Sequence, residues 1–237
     1  MAEHTFKQFD IELETIRTKV LQMGGLVEQQ VARAMAGLAS GEIFEIDQVI
    51  ANDHKVNLLE VDLDEACSHI IARRQPAAND LRTIMTVIKT ITDLERVGDE
   101  AKKIAKMAKR IHEADSGVVP RVELRHAAEP AANMLHKALD AFARLDPHAA
   151  ADVVREDADV DREFKSIMRQ LITFMMEDPR TISSSIEILF IAKSIERIGD
   201  HAKNISEYVI YLVKGRDVRH TGVDEICLLY TSDAADE

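Results

Sequence analysis

Turn-forming residues are scarce in this chain. It has 9 glycines and 5 prolines in 237 residues, and no tryptophan. Glycine at about 4% falls well below the roughly 7% usual in proteins. Few turn-formers mean few turns, so the elements must be long, which favours helices over the short strands of a sandwich or barrel. Only two cysteines occur, Cys67 and Cys227, far apart and without metal-binding spacing. They fit a reducing cytoplasm, and Cys67, between Ala66 and Ser68, reads as a small packing residue. A net basic surface is also missing. The formal net charge is −12, which leaves nothing to displace counterions from nucleic-acid phosphates. No apolar run approaches the ~20 residues that span a bilayer. The stretch Met1 to Asp10 has no basic region followed by an apolar core, so no secretory signal is expected. Hydrophobic residues make up 46% and charged residues 30%, a composition typical of a globular protein.

What is present is a duplication. Glu95-Arg96-Val97-Gly98-Asp99 recurs as Glu196-Arg197-Ile198-Gly199-Asp200, at an offset of 196 − 95 = 101 residues, and an Ala-Lys-x-Ile follows both copies. The helical period is clearest around the second copy. Ile188, Ile191, Ile195, Ile198, Ala202, Ile205, Val209 and Leu212 alternate three and four apart as a heptad seam. Shifted back by 101, the seam reads Val87, Thr90, Leu94, Val97, Ala101, Ile104, Ala108 and Ile111, with only Thr90 out of character. These seams predict helices at 77–112 and 181–215.

Val49, Val56, Leu63 and Ile70 mark a helix at 45–74, and Val153, Val160, Phe164, Ile167, Leu171 and Phe174 mark its counterpart at 149–177. One further helix opens each unit, at 10–39 and 121–146. Ser40-Gly41, Asp115-Ser116-Gly117 and Asp146-Pro147 read as breaks, and Pro76 and Pro179 as helix starts. Gly24-Gly25 and Pro130 fall inside expected helices, where each marks a kink or a misplaced end. The expected fold is all-α: six long helices forming two tandem, pseudo-symmetric three-helix bundles, one over 1–116 and one over 117–226.

Each repeat presents two carboxylates four residues apart. With Leu94 and Ile195 on the seam, Glu95 and Glu196 fall about 130° from its centre and Asp99 and Asp200 about 170°. Both pairs are therefore expected to project away from the core, where a charged face needs no function. Three features argue for more. Like charges at i and i+4 cost roughly 0.2–0.5 kcal/mol on an isolated helix. Each pair encloses a mid-helix glycine, Gly98 or Gly199, costing about 0.8–1 kcal/mol relative to alanine. The middle helix of each unit also carries an i, i+4 pair of its own, Asp53 and Asn57 in the first unit and Asp157 and Asp161 in the second. Convergent carboxylates of this kind suit a divalent cation such as magnesium or manganese, and also accept iron or zinc, at a shallow surface site.

Catalytic constellations are missing. There is no nucleophile elbow, phosphate-cradling glycine loop or His-Glu-x-x-His, and no set of Glu-x-x-His motifs for a buried dinuclear centre, so no enzyme is expected. His201 lies beside Asp200 but reads as a solvated histidine, and Met175-Met176 as packing residues.

The repeated Glu-Arg-x-Gly-Asp, the Arg73-Arg74-Gln75-Pro76 and Asp80-Leu81-Arg82 stretch, and Met176-Glu177-Asp178-Pro179 together resemble the PhoU family of bacterial phosphate-signalling regulators. So do Met23-Gly24-Gly25-Leu26-Val27-Glu28 and Tyr211-Leu212-Val213-Lys214-Gly215. The resemblance runs from about Phe6 to Glu225. It implies two three-helix bundles in a cytoplasmic protein that forms a homodimer and restrains the phosphate regulon when phosphate is ample. It also implies two partners, the sensor histidine kinase PhoR and the ATPase subunit of the phosphate transporter. Some members carry iron or zinc on paired acidic motifs. Residue by residue, that carries over to Glu95, Asp99, Glu196, Asp200, Asp157, Asp161 and Asp53, with Asn57 departing from the pattern. A metal-storage or metal-delivery protein is the competing reading. Cys227 to Glu237 continue neither the seam nor the repeat and read as a foreign tail of 227–237.

Overall fold

The heptad seams bury as expected. Val97, Ala101 and Ile104 in one half and Ile198, Ala202 and Ile205 in the other are sealed from solvent, and burying such stripes is what holds long helices together. The structure, a computed structural model, describes residues 2–113, 118–219 and 221–222, with backbone alone for 2–7. The elements are α1 (Ala2–Ser40), α2 (Ile43–Arg74), α3 (Ala78–Glu113), α4 (Arg125–Arg144), α5 (Pro147–Glu177) and α6 (Ile182–Lys214). A single 3₁₀ turn, Pro179–Thr181, leads into α6. No strand occurs among the described residues. The boundary expected at 116/117 and the tail of 227–237 lie outside the described residues.

Turn chemistry sets the ends. Asp146 caps α5 by accepting hydrogen bonds from the His148 and Ala149 backbone N–H groups at 2.9 and 3.1 Å, with Pro147 at the first helical position. Gly41 (φ 73°) and Gly215 (φ 72°) follow α1 and α6 in the left-handed conformation that glycine adopts without a Cβ penalty. Gly24-Gly25 does not interrupt its helix, and Pro130 marks a helix start that the sequence reading placed too early. α1 runs unbroken through Gly24-Gly25, because the bare backbone at Gly24 is where Leu139 of α4 packs, 2.7 Å from the place a Cβ would occupy. Pro130 sits inside α4, which begins only at Arg125, so it falls in the second turn rather than mid-helix.

In each half, three helices close a core: α1, α2 and α3 in one, α4, α5 and α6 in the other. The halves join mainly along α3 and α6, which run antiparallel, with α1 touching α4. α3 and α6 thus have two duties. One face of each lines its own bundle's core, another faces the other bundle, and the strip between carries the repeated acidic motif. Cys67 is fully buried, and burial pushes its thiol pKa up to about 12, as expected of an inert packing residue. Met176 is the opposite, 81% exposed at the end of α5 and not a packing residue.

Candidate functional site

The acidic motifs line two related grooves, α2 against α3 and α5 against α6. Their orientation differs from the sequence expectation. Glu95, Asp99 and Asp200 are half-buried, and Glu196 is only 9% exposed. The motif does point away from the bundle's centre, but the neighbouring helix of the same bundle comes alongside and covers it. Gly98 and Gly199 explain how the helices approach so closely. A Cβ at Gly98 would lie 3.4 Å from Val56 of α2, and one at Gly199 3.4 Å from Val160 of α5.

In the first groove Asp53, 3% exposed, accepts a hydrogen bond from Lys102 Nζ at 2.5 Å, and its Oδ1 has no partner. Lys102 also stands 3.9 Å from Asp99. Glu95 is held above the usual carboxylate range first by burial and then by Asp99, Glu60 and Asp53. Glu60, one turn beyond Asn57 on α2, is raised too, by burial and then by Asp64. Asn57 points to solvent.

The second groove repeats the plan. Lys203 donates to Asp157 at 2.8 Å, the counterpart of Lys102 on Asp53. Lys193 donates to both oxygens of Glu196, at 2.7 and 2.5 Å, and Asp161 stands 3.9 Å from Lys165. Asp200 has no ion pair among the described residues. Burial, followed by Glu196 and Asp157, pushes its pKa up to about 6. Electrostatic coupling therefore ties Asp157, Asp161, Glu196 and Asp200 together, and Asp53, Glu95 and Asp99 likewise.

As the side chains stand, no group of three or more His, Cys, Asp or Glu among the described residues is arranged to hold a metal ion. Lys102 and Lys203 instead each hold one carboxylate of their cluster, Asp53 and Asp157. The donor chemistry nevertheless suits a hard cation. The partnerless Asp53 oxygen and the unpaired Asp200 are groups that a positive charge would stabilise. Both lysines belong to the Ala-Lys-x-Ile flank of the repeat, so their duplication was the sequence signal for this role. Glu60 has no such signal, because its counterpart at 60 + 104 = 164 is Phe164.

A second polar constellation lies where α3 meets α6, and nothing in the sequence reading anticipated it. His201 is not solvated: its Nδ1 donates to Asp93 at 2.7 Å, both residues being buried. Asn204 donates to the same Asp93 oxygen at 3.2 Å. Further along, buried Glu100 accepts from Ser194 Oγ at 2.8 Å and from Arg197 at 3.0 Å. The two sites are copies under the repeat, since 93 + 101 = 194 and 100 + 101 = 201. The contact of Glu100 with Ser194 therefore maps onto that of His201 with Asp93.

Paired helical bundles with duplicated acidic grooves and a polar seam define a class of internally duplicated, all-helical protein. The PhoU domain model matches residues 20–108 and 124–209. The chain belongs to the PhoU family. It is 46% identical over 236 residues to the phosphate-specific transport system accessory protein PhoU of Escherichia coli K12, covering 99% of this chain and 97% of that protein. The Serratia marcescens protein of the same name is 51% identical over 235 residues, covering 98% and 95%. The crystal structure of PhoU from Pseudomonas aeruginosa superposes with a TM-score of 0.85 at 48% identity, covering 88% of this chain and all of that one. The phosphate transport system regulatory protein PhoU of Streptococcus pneumoniae gives 0.82 at 27% identity, covering 89% and 99%. The all-helical architecture expected from the sequence is thus shared with solved family members. No helix among the described residues is long and apolar enough to cross a membrane.

Proposed function

We propose that this protein is a non-enzymatic regulator of high-affinity phosphate transport. In this reading it is a cytoplasmic adaptor, acting as a homodimer between the transporter's ATPase subunit and the sensor kinase PhoR to keep phosphate-starvation genes silent when phosphate is ample. The observation that carries the reading is similarity along nearly the whole chain to proteins named as accessory or regulatory components of phosphate transport. The polar seam between α3 and α6 suits such a role, because hydrogen-bonded contacts can rearrange between packings at smaller cost than an apolar interface of equal area. The test is a clean gene deletion carrying a phosphatase reporter in high phosphate. Derepression with transport intact is expected, and a reporter that stays repressed refutes the adaptor. Light scattering on the purified protein tests the dimer.

The unpaired, half-buried Asp200 favours a second reading, in which the acidic grooves take a divalent ion, iron, zinc, manganese or magnesium. Glu196, Asp200, Asp157 and Asp161 would hold it in the second groove, and Glu95, Asp99 and Asp53 in the first. Bound there, the ion would supply charge neutralisation, releasing Lys203 or Lys102 from its carboxylate. Elemental analysis of protein prepared without chelator should show metal that falls in the Asp157→Asn, Asp200→Asn double variant; equal content in both rules the site out. Many ions per chain would indicate storage or delivery rather than an adaptor with a structural ion.

A further inference from the structure

At one end of the α3–α6 seam two cations stand over aromatic rings. Arg82 and Lys89 of α3 have no ion pair with a carboxylate among the described residues. They lie instead over aromatic rings of α6. The Arg82 guanidinium carbon is 5.6 Å from the Tyr211 ring centre, and Lys89 Nζ is 5.4 Å from the centres of both Tyr208 and Tyr211. Met85 and Leu81 stand beside them on α3, 41% and 39% exposed, since residues three and four apart share a helix face. Beyond α6, Arg219 is paired with Asp217, whose charge also reaches Lys89, and Glu207 lies close by, so this pair adds no net positive charge and the face rests on Arg82 and Lys89.

Helix capping accounts for only part of this set. The Arg82 guanidinium lies against Gly215, where a cation offsets the dipole at the C-terminus of α6, but Lys89 over Tyr208 and Tyr211 lies further from that end. The repeat provides a direct comparison. Shifting by 101 places Ser183 where Arg82 stands and Phe190 where Lys89 stands, while Met107 and Arg110 take the places of Tyr208 and Tyr211. The fold closes the opposite end of the same seam without paired cations over tyrosines, so their presence here is not a packing requirement.

We propose that this face, centred on Arg82, Lys89, Tyr208 and Tyr211, docks the protein on an anionic phospholipid surface. Unpaired cations, tyrosines and exposed apolar side chains together match the charged headgroup layer and the boundary beneath it. Arg82, Lys89, Tyr208 and Tyr211 are all partly exposed, so a surface laid across them can reach each one. A net charge of −12 does not forbid the contact, because at physiological salt charges act over only about 8 Å and the local sign decides.

The test is co-sedimentation with vesicles of equal parts phosphatidylglycerol and phosphatidylcholine. The wild-type chain should bind these and not pure phosphatidylcholine. Binding should weaken steeply between about 0.1 M and about 1 M salt, as the Debye length falls from about 10 Å to about 3 Å. Each surface cation lost should lower binding roughly fivefold, so Arg82→Gln, Lys89→Gln should lose at least about tenfold. Lys55→Gln, Lys106→Gln removes the same charge elsewhere and should bind as the wild type does. Circular dichroism melts confirm that all three forms are folded. Failure of the wild type to bind, or equal losses in the two double variants, overturns the proposal. So does displacement by inorganic phosphate far beyond that by chloride at equal ionic strength, which would mark a small-anion site. Binding to an acidic peptide without vesicle binding would reassign the face to a protein partner. None of these outcomes depends on the regulator reading.

Discussion

The two bundles share a plan but differ in how dry they are beneath the acidic groove. Under Gly199 in the second bundle lies Met134, whose sulfur would be 3.8 Å from a Cβ there; under Gly98 in the first lies Gln30, whose Oε1 would be 3.2 Å away. Gln30 is 4% exposed, and neither atom of its amide has a hydrogen-bond partner. Thr90, the residue out of character in the heptad seam, is likewise buried with a partnerless hydroxyl, where the second bundle has Ile191. The grooves above differ in the other direction. The second has Asp161 where the first has Asn57, and its Asp200 is the carboxylate pushed furthest, to about 6. Duplication has thus given one half a polar interior below a diluted acid cluster, and the other an apolar interior below a concentrated one. A carboxylate over apolar packing is harder to ionise, because burial penalises its charged form. Of the two grooves, the second holds the carboxylate that a nearby positive charge would stabilise more.

Exchanging the residues under the glycines tests that contrast most strongly. Met134→Gln buries an amide in an apolar site and should cost roughly 2–3 kcal/mol, the usual penalty for a buried polar group without partners. Gln30→Met should do the reverse and stabilise by roughly 1–2 kcal/mol. Urea unfolding of the two variants beside the wild type reads both values. Losses of equal size in the two variants would show that the bundles are not differently dry.

The seam between the bundles supplies the next effect. Asp93→Ala removes the acceptor of His201 and Asn204 and leaves the buried imidazole without its partner. A cost of about 1–3 kcal/mol is expected. The related substitution, Ser194→Ala, should cost less, because Glu100 keeps Arg197 and also Lys103, 2.8 Å away. A chemical-denaturation series on both variants decides whether the pseudo-symmetric contacts are energetically unequal.

The elevated pKa of Asp200 makes a signed prediction. Its folded-state value, about 6, exceeds the ordinary 3.8, so the ionised form is the one the fold disfavours. The penalty is absent below the ordinary value, grows as pH rises through the interval, and is complete above about 6. Asp200→Asn removes it. In metal-free protein the variant should be stabilised at pH 7.5 by roughly 1 kcal/mol once solvent screening is allowed for, a gain of roughly 2–4 °C in melting temperature. The gain should fade as pH falls from about 6 toward the ordinary value. Thermal melts across that range check it, and a gain that persists at low pH would locate the effect elsewhere.

Most of the fold was legible in the sequence because heptad spacing and turn residues are local signals. The seams through Val97 and Ile198, the cap at Asp146 and the glycine at 41 all report on structure within a few residues of themselves. The start of α1 was placed too late for the same reason, since the chain before Asp10 carries too few apolar residues to extend the seam. The acidic motifs could be found from their repetition but not oriented. A helical wheel gives the angle from one bundle's centre and says nothing of the neighbour that covers Glu196. His201 and Glu100 were illegible because their partners, Asp93 and Ser194, lie a whole repeat away in sequence. Only the superposition of one copy on the other makes that relation visible.

The smallest expected effect separates the bundles most finely. A helical glycine replaced by alanine gains about 0.8–1 kcal/mol from propensity where space allows. At Gly199 the nearest atom to a new Cβ is a Val160 methyl at 3.4 Å, ordinary van der Waals contact, so Gly199→Ala should realise most of the gain. At Gly98 the Gln30 oxygen would be 3.2 Å away, tighter than normal contact, and the amide is enclosed on every side. Gly98→Ala should therefore keep little of the gain and come out close to neutral. The difference, on the order of 0.5–1 kcal/mol, is resolvable by paired thermal melts at one protein concentration. Combining Gly98→Ala with Gln30→Met sharpens the test. If the amide is what resists the new methyl group, the double variant should exceed the sum of the two single changes, because residues in contact couple. Strict additivity would show that the helices of the first bundle, and not Gln30, set the tight approach at Gly98.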